Sequence, residues 1–392
     1  MLASAIDHDE QLHWLALRLV PGLGARNAGR LIDLFGVPQA IFRAARAELE
    51  DAGVNGSVAQ SIASGCAFEE AAVQERKMRD AGVELIPLRD PRFPPLLREI
   101  YDPPVVLFAR GRAELLQAPM LAVVGTRRPT PYGMAVAERM AADLARSALV
   151  IVSGMARGVD TASHRGALSA GGETIAVFGC GVDVIYPAEN RNLAAELAKT
   201  GLIVSEFPMG TPGQPQNFPI RNRIISGMSL GVLVVEGAQY SGSAITARLA
   251  MEQGREVFAI PGNITSKMSW GPNLLIKQGA TLVQEASDVL AELPADERRH
   301  LAERIQSKLP TSEIPIAAGT SAPDQASLPL GPAGDSARAV LALCRVDAAI
   351  HLDAILEKLD RFSSSEVIAA LFDLEMTGLI RQLPGKNFVK VW

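Results

Sequence analysis

A chain of 392 residues has room for two or three domains, and 48% hydrophobic with 21% charged residues is the balance of an ordinary globular protein. The net charge of -5 excludes a uniformly basic nucleic-acid coat, while leaving room for a local basic stripe, because close phosphate contacts respond to the nearby field. Three scattered cysteines (Cys66, Cys180 and Cys344) exclude a disulfide framework, and with no basic signal peptide and no apolar run of bilayer length the expected location is the cytoplasm, away from membranes.

Residues 1–81 read as a helical module. Leu12, Leu15, Leu17 and Leu19 lead into the turn Pro21-Gly22-Leu23-Gly24; Ala28, Leu31, Ile32, Leu34 and Phe35 then recur at helical spacing and stop at Gly36. The turn suits a helix-hairpin-helix, whose glycines let backbone N–H groups approach a DNA phosphate. It suits equally a plain glycine turn in a spacer module.

Residues 82–294 alternate short β-rich runs with helical patterns. Strands are predicted at 121–125, 149–153, 174–179, 202–205, 232–236, 256–261 and 280–283, with helices between them such as 134–145 and 243–253. This alternation predicts an α/β fold, a Rossmann-like parallel sheet with helices on both faces, and the apolar strands fit a sheet covered twice.

Ligands collect at the carboxyl ends of such strands, and the glycine and polar residues fall there. They form Gly125-Thr126-Arg127, Ser153-Gly154-Met155-Ala156-Arg157-Gly158, Gly179-Cys180-Gly181, Ser241-Gly242-Ser243 and Pro261-Gly262-Asn263. Any one is explained by a tight turn. Their recurrence on one edge, with arginines, points to an anion-binding rim. The run Phe218-Pro219-Ile220-Arg221-Asn222-Arg223 should add to it: three consecutive residues fan around a helix start, so some face the edge. Arg191, after Asn190, is a further candidate.

No catalytic set accompanies the rim. The third glycine of the dinucleotide motif and the Gly-Lys-Ser/Thr of a P-loop are both missing, so neither NAD nor ATP is indicated, and no metal spacing or other cofactor signal is present. His164, with Asp160 four residues before it, could be oriented for proton transfer but has no nucleophile loop nearby; a structural hydrogen bond is the expectation. Glu206 and Glu236 are assigned to loop hydrogen bonding.

From about 309 to 335 Pro, Ala, Ser and Gly dominate, and a flexible linker is placed at 295–335. Residues 336–392 follow with helical patterns at 337–343, 352–359 and 364–377 and a hairpin turning near Pro384-Gly385, a winged helix. Its expected recognition helix carries Glu366, Asp373 and Glu375 and no Lys or Arg, which favours a protein partner over duplex DNA.

These residues resemble the DNA-processing protein A family (DprA, also called Smf). The resemblance rests on Gly125-Thr126-Arg127-Arg128-Pro129, on Ser153 to Asp160, on Gly179 to Pro187, on Phe218 to Arg223, on Ser241-Gly242-Ser243 and on Phe258-Ala259-Ile260-Pro261-Gly262. It implies a domain that binds single-stranded DNA, forms a homodimer, and helps load the recombinase RecA during natural transformation. Thr126 stands where the family often has serine, and both offer a hydroxyl. The candidate DNA-binding set is Gly125, Thr126, Arg127, Ser153, Gly154, Asn190, Arg191, Arg221, Asn222, Arg223, Gly242 and Ser243. The alternative is a nucleotide-cleaving enzyme like the phosphoribohydrolases of similar fold. Those carry a Pro-Gly-Gly loop followed by Gly-Thr, whereas Pro261-Gly262 here continues as Asn263-Ile264.

Overall fold

The computed structural model describes residues 7–239, 241–308, 334–344, 350–359, 361–376, 379–383 and 386–390. The chain divides after residue 311 into two compact units. In the first, helices fill 8–81, beginning with His8–Leu19 and Gly24–Phe35. Trp14, Leu15, Leu17, Leu31 and Ile32 are buried, as the leucine spacing predicts. Gly36 ends the second helix at φ 83, a backbone conformation glycine adopts freely, and its N–H bonds to Ile32 O.

Nine strands form one sheet in this unit. They are β1 (Glu84–Pro87), β2 (Val106–Gly111), β3 (Met120–Val124), β4 (Val150–Ser153), β5 (Thr174–Val177), β6 (Leu202–Ser205), β7 (Gly231–Val234), β8 (Glu256–Ala259) and β9 (Thr281–Leu282). Their order is β1-β2-β6-β5-β4-β3-β7-β8-β9. From β6 to β9 every pairing is parallel, while β1 and β2 add an antiparallel edge. Successive residues of β3 and β4 point to opposite faces, and both faces are covered. Ala122, Val124, Val150 and Val152 join one core, and Leu121, Val123 and Ile151 join the other. The strand order reverses about β3, which lies between β4 and β7, and the polar loops gather at that switch point.

The helical module is docked on this domain. Gln74 of the helix Phe68–Ala81 accepts from Met209 N at 2.7 Å, and Arg18 Nε donates to Glu206 O at 2.9 Å.

One boundary differs from the sequence expectation. Residues 295–308, expected as the start of the linker, form the helix Ala295–Lys308. Leu301 is buried in the sheet's second core, and Arg304 pairs with Glu173 at 2.7 Å, anchoring a stretch whose composition looks solvated. The remainder of the linker expectation, up to residue 333, lies outside the described residues, as does the hairpin tip at Pro384-Gly385.

The second unit contains helices Gly334–Leu343, Leu352–Lys358 and Ser364–Met376 with β10 (Ile350–His351), β11 (Ile380–Leu383) and β12 (Asn387–Lys390) paired in the order β10-β12-β11. Val340, Ile355, Val367, Leu374 and Phe388 form its core. Glu366 acts locally, since its carboxylate accepts from Ser363 N and Oγ, which holds its pKa below the ordinary value. Among the described residues no helix is long and apolar enough to cross a membrane.

Candidate nucleic-acid interface

The loop after β3 is fixed from both sides. Thr126 N donates to Glu236 O at 2.7 Å, and Thr126 O accepts from Val159 N at 3.2 Å. Gly158 makes this close approach feasible: its φ is +77, and a Cβ there would lie 2.5 Å from Thr126 O. Glu236 accepts from Thr130 N and Oγ1 at 2.8 and 2.7 Å, the loop role expected of it. Arg127 emerges from this loop exposed, with its guanidinium 5.1 Å over the Phe218 ring. Phe218 also lies 5.3 Å from the ring of Tyr186, which is exposed.

Beneath Phe218 runs Arg221 of the helix Asn217–Gly227. Its guanidinium is buried and donates through Nη1 to Gly154 O at 2.7 Å and to Val177 O. A Cβ on Gly154 would occupy the guanidinium's place, so this glycine exists for the arginine packed on it. Burial pushes the Arg221 pKa down to about 10, Asp160 pulls it back up, and Arg127 adds a further push down. Asp160 is buried as well; Gly154 N and Ala156 N donate to its Oδ2 at 3.1 and 3.2 Å. The two side chains thus hold the β4 loop beneath the cleft.

That cleft, of about 480 Å³, brings together Gly125, Thr126, Arg127, Arg221, Asn222, Gly242 and Ser243 of the expected set. Asn222 Nδ2 donates to Gly242 O at 3.5 Å, and Ser241 caps the helix Gly242–Glu252 by accepting from Ala244 N at 3.3 Å. The positive end of that helix therefore faces the cleft.

Other members of the set stand elsewhere. Arg223 was expected on the DNA-facing rim; two residues beyond Arg221 on a helix, its side chain leaves on the far side. There it pairs with buried Glu206 at 2.6 Å and with Asp102 at 3.1 Å. Ser153 is buried and donates to Val123 O at 2.7 Å. Asn190 is buried, and its Nδ2 donates to Met155 O and Thr161 Oγ1. These three side chains hold the loops in place and do not line the cleft around Arg127. Arg191 is exposed at the start of the helix Arg191–Thr200 and does not line the cleft. Phe218 and Tyr186 are the cleft residues that motif reading passed over, although both lie inside its motifs.

His164 has the structural bond expected of it. Its Nδ1 lies 2.7 Å from Thr174 Oγ1, whose own hydrogen goes to Ile151 O, so Nδ1 is assigned the proton. Burial, with Arg221 nearby, lowers its pKa to about 3. Burial also pushes the Cys180 thiol up to about 11. Neither group is poised as base or nucleophile at neutral pH. The His164 shift has a consequence for stability. The unfolded chain takes up a proton near pH 6.5 and the folded chain near 3, so this histidine's contribution is complete above 6.5 and lost as pH falls between those values. The expected loss is about 1.4 kcal/mol per pH unit within that window. Urea midpoints at pH 7 and pH 5 should drop less in His164→Gln than in the parent; equal drops would refute the assignment.

Fold and cleft define a Rossmann-like binding domain that opens at the switch point of its sheet and is joined to a winged helix. The family described as DNA recombination-mediator protein A matches residues 84–294, and the DprA winged helix domain matches residues 322–386. The chain is 47% identical over 217 residues to the DNA processing protein DprA of Bacillus subtilis, covering 55% of this chain and 73% of that one. It is 33% identical over 397 residues to protein Smf of Synechocystis sp., covering 97% and 99%. The X-ray structure of DprA from Streptococcus pneumoniae superposes with a TM-score of 0.63 at 37% identity, covering 72% of this chain and 98% of that one. The chain belongs to the DNA recombination-mediator protein A (DprA/Smf) family.

Proposed function

We propose that this protein holds single-stranded DNA along the carboxyl edge of its sheet without cutting it, and delivers it to a RecA recombinase during transformation. The observation that carries the reading is the cleft around Arg127. It has an exposed guanidinium with no acceptor among the described residues, stacked on Phe218 beside Tyr186, above a buried arginine and a helix N-terminus. Such a surface offers charge to phosphates and ring faces to unpaired bases. The residues assigned to contact DNA are Gly125, Thr126, Arg127, Asn222, Gly242 and Ser243, with Tyr186 and Phe218 added. Arg221 acts from beneath through its charge.

The protein works as a homodimer in the cytoplasm on this reading, and the winged helix docks a protein. No reaction is assigned to the cleft, whose neighbouring His164 and Cys180 are buried and hydrogen-bonded within the fold.

Gel shifts with single-stranded and duplex oligonucleotides over a salt series test the central claim. The single strand should bind more tightly, with log affinity falling linearly in log salt. Preference for duplex, or binding indifferent to salt, would overturn it.

A further inference from the structure

A second basic surface lies on the same edge of the sheet. β1 ends at Pro87 opposite Val106, the first residue of β2, and Phe108 of β2 pairs with Ser205, the last residue of β6. Residues 88–105 therefore emerge at the carboxyl edge of the parallel strands. Three strand spacings, roughly 15 Å, separate β2 from β4 at the cleft.

There Arg89, Arg98 and Tyr101 face Arg26, Arg30 and Asp33 of the helix Gly24–Phe35 across a cavity of about 640 Å³. Four guanidinium groups beside one carboxylate reverse the sign of a chain whose net charge is -5. Arg89 donates to Ile32 O and Arg98 to Leu88 O, both at 3.1 Å, so neutral carbonyls position these heads and leave their charge unanswered. The side chains of Arg26 and Arg30 have no hydrogen bond or ion pair among the described residues. The Arg26 guanidinium lies 4.3 Å over the ring of Tyr101, which is 72% exposed. Nearby acids answer other cations: Asp102 accepts from Arg223 Nε at 3.1 Å, and Glu99 acts on Arg255.

We propose that this patch is a second contact surface for the same single-stranded polynucleotide, engaged when the strand is long enough to run from the cleft past the end of β6 to the helix Gly24–Phe35. This rests on the cleft reading above. The guanidinium heads take phosphates, and Tyr101 offers a ring on which a base stacks. An acidic protein segment would answer the charge but gives no reason for the presented ring.

The test is fluorescence anisotropy with oligothymidylates of about 6 and about 20 nucleotides. For the variant Arg26→Ala/Arg30→Ala/Tyr101→Ala, long-strand affinity should fall about 10- to 100-fold and its salt slope by about 1.4. Short-strand affinity should stay at the parent value, which also reports an intact fold. Asp33→Asn should raise long-strand affinity about 2- to 3-fold, a gain no folding defect imitates. Arg127→Ala should weaken both lengths, so a failure of the cleft reading shows as an unaffected Arg127→Ala and is told apart from a failure of the patch. The proposal is overturned if the triple variant binds the long strand as the parent does, or loses both lengths equally. Unchanged DNA binding with lost binding of polyglutamate would give the patch to an acidic protein partner and overturn it too.

Discussion

Arg223→Ala is expected to destabilise the protein by about 3–5 kcal/mol while leaving DNA affinity within about twofold at temperatures where the variant is folded. The side chains of Arg223 and Glu206 are 8% and 5% exposed, and their ion pair is 2.6 Å long. Removing the guanidinium leaves the buried Glu206 carboxyl group without its hydrogen-bonded partner, and that penalty, more than the loss of attraction, sets the size of the effect. Asp102, at 41% exposed, returns to water at little cost. Against a total stability of about 5–15 kcal/mol the loss is severe, and the melting temperature should fall by about 10 °C. The pair is also incompletely satisfied, because Arg223 Nη1 and Glu206 Oε1 have no hydrogen-bond partner among the described residues. Replacing both residues together, Arg223→Met with Glu206→Leu, should therefore recover most of the loss. Arg18 keeps its bond to the main-chain O of residue 206, which the double variant does not remove. A double variant no more stable than the single one, measured by calorimetry, would refute this account.

The same arginine shows where sequence reading reaches its limit. The parallel strands from β3 to β8 are legible because each is a largely buried apolar run bounded by glycine or polar residues, and β9 follows them as a partly exposed edge. β1 and β2 are not individually legible: Pro87, Pro94, Pro95, Pro103 and Pro104 make their surroundings read as loop, and antiparallel pairing at an edge leaves no local pattern. Helical geometry says that Arg221 and Arg223 point apart. It does not say which one meets Glu206 and Asp102, because those partners come from distant loops. Asn190 looks like a rim residue until its amide is seen to close on Met155 O and Thr161 Oγ1. The stacking of Tyr186 on Phe218 joins two motifs that sequence order keeps separate. Loops rich in glycine and arginine thus reveal where a site is. Which side chains face a ligand is decided by long-range hydrogen bonds and ion pairs that compete for the same polar groups.

In the cleft, Arg127 is left with no acceptor among the described residues, so its charge is open to a ligand. Arg127→Ala should weaken binding of single-stranded oligonucleotide about 10- to 100-fold, equivalent to about 1.4–2.7 kcal/mol. A charge-assisted hydrogen bond to phosphate contributes about 1.5–3 kcal/mol, which accounts for that range. Losing one phosphate contact should also lower the slope of log affinity against log salt by about 0.7. Melting temperature should not change, since Arg127 is exposed and its neighbour Phe218 keeps the contact with Tyr186. Two companion variants separate charge from stacking. Arg127→Lys keeps the salt slope but loses affinity, because an ammonium lacks the planar face that lies over Phe218 at 5.1 Å. Phe218→Ala should cost about 1–3 kcal/mol of binding with the slope unchanged, as expected for a lost stacking platform. If alanine at 127 left both affinity and slope at parental values, the guanidinium would not be the group that meets the phosphate. The buried Arg221 would replace it poorly, because it is only 4% exposed and its Nη1 is committed to Gly154 O and Val177 O.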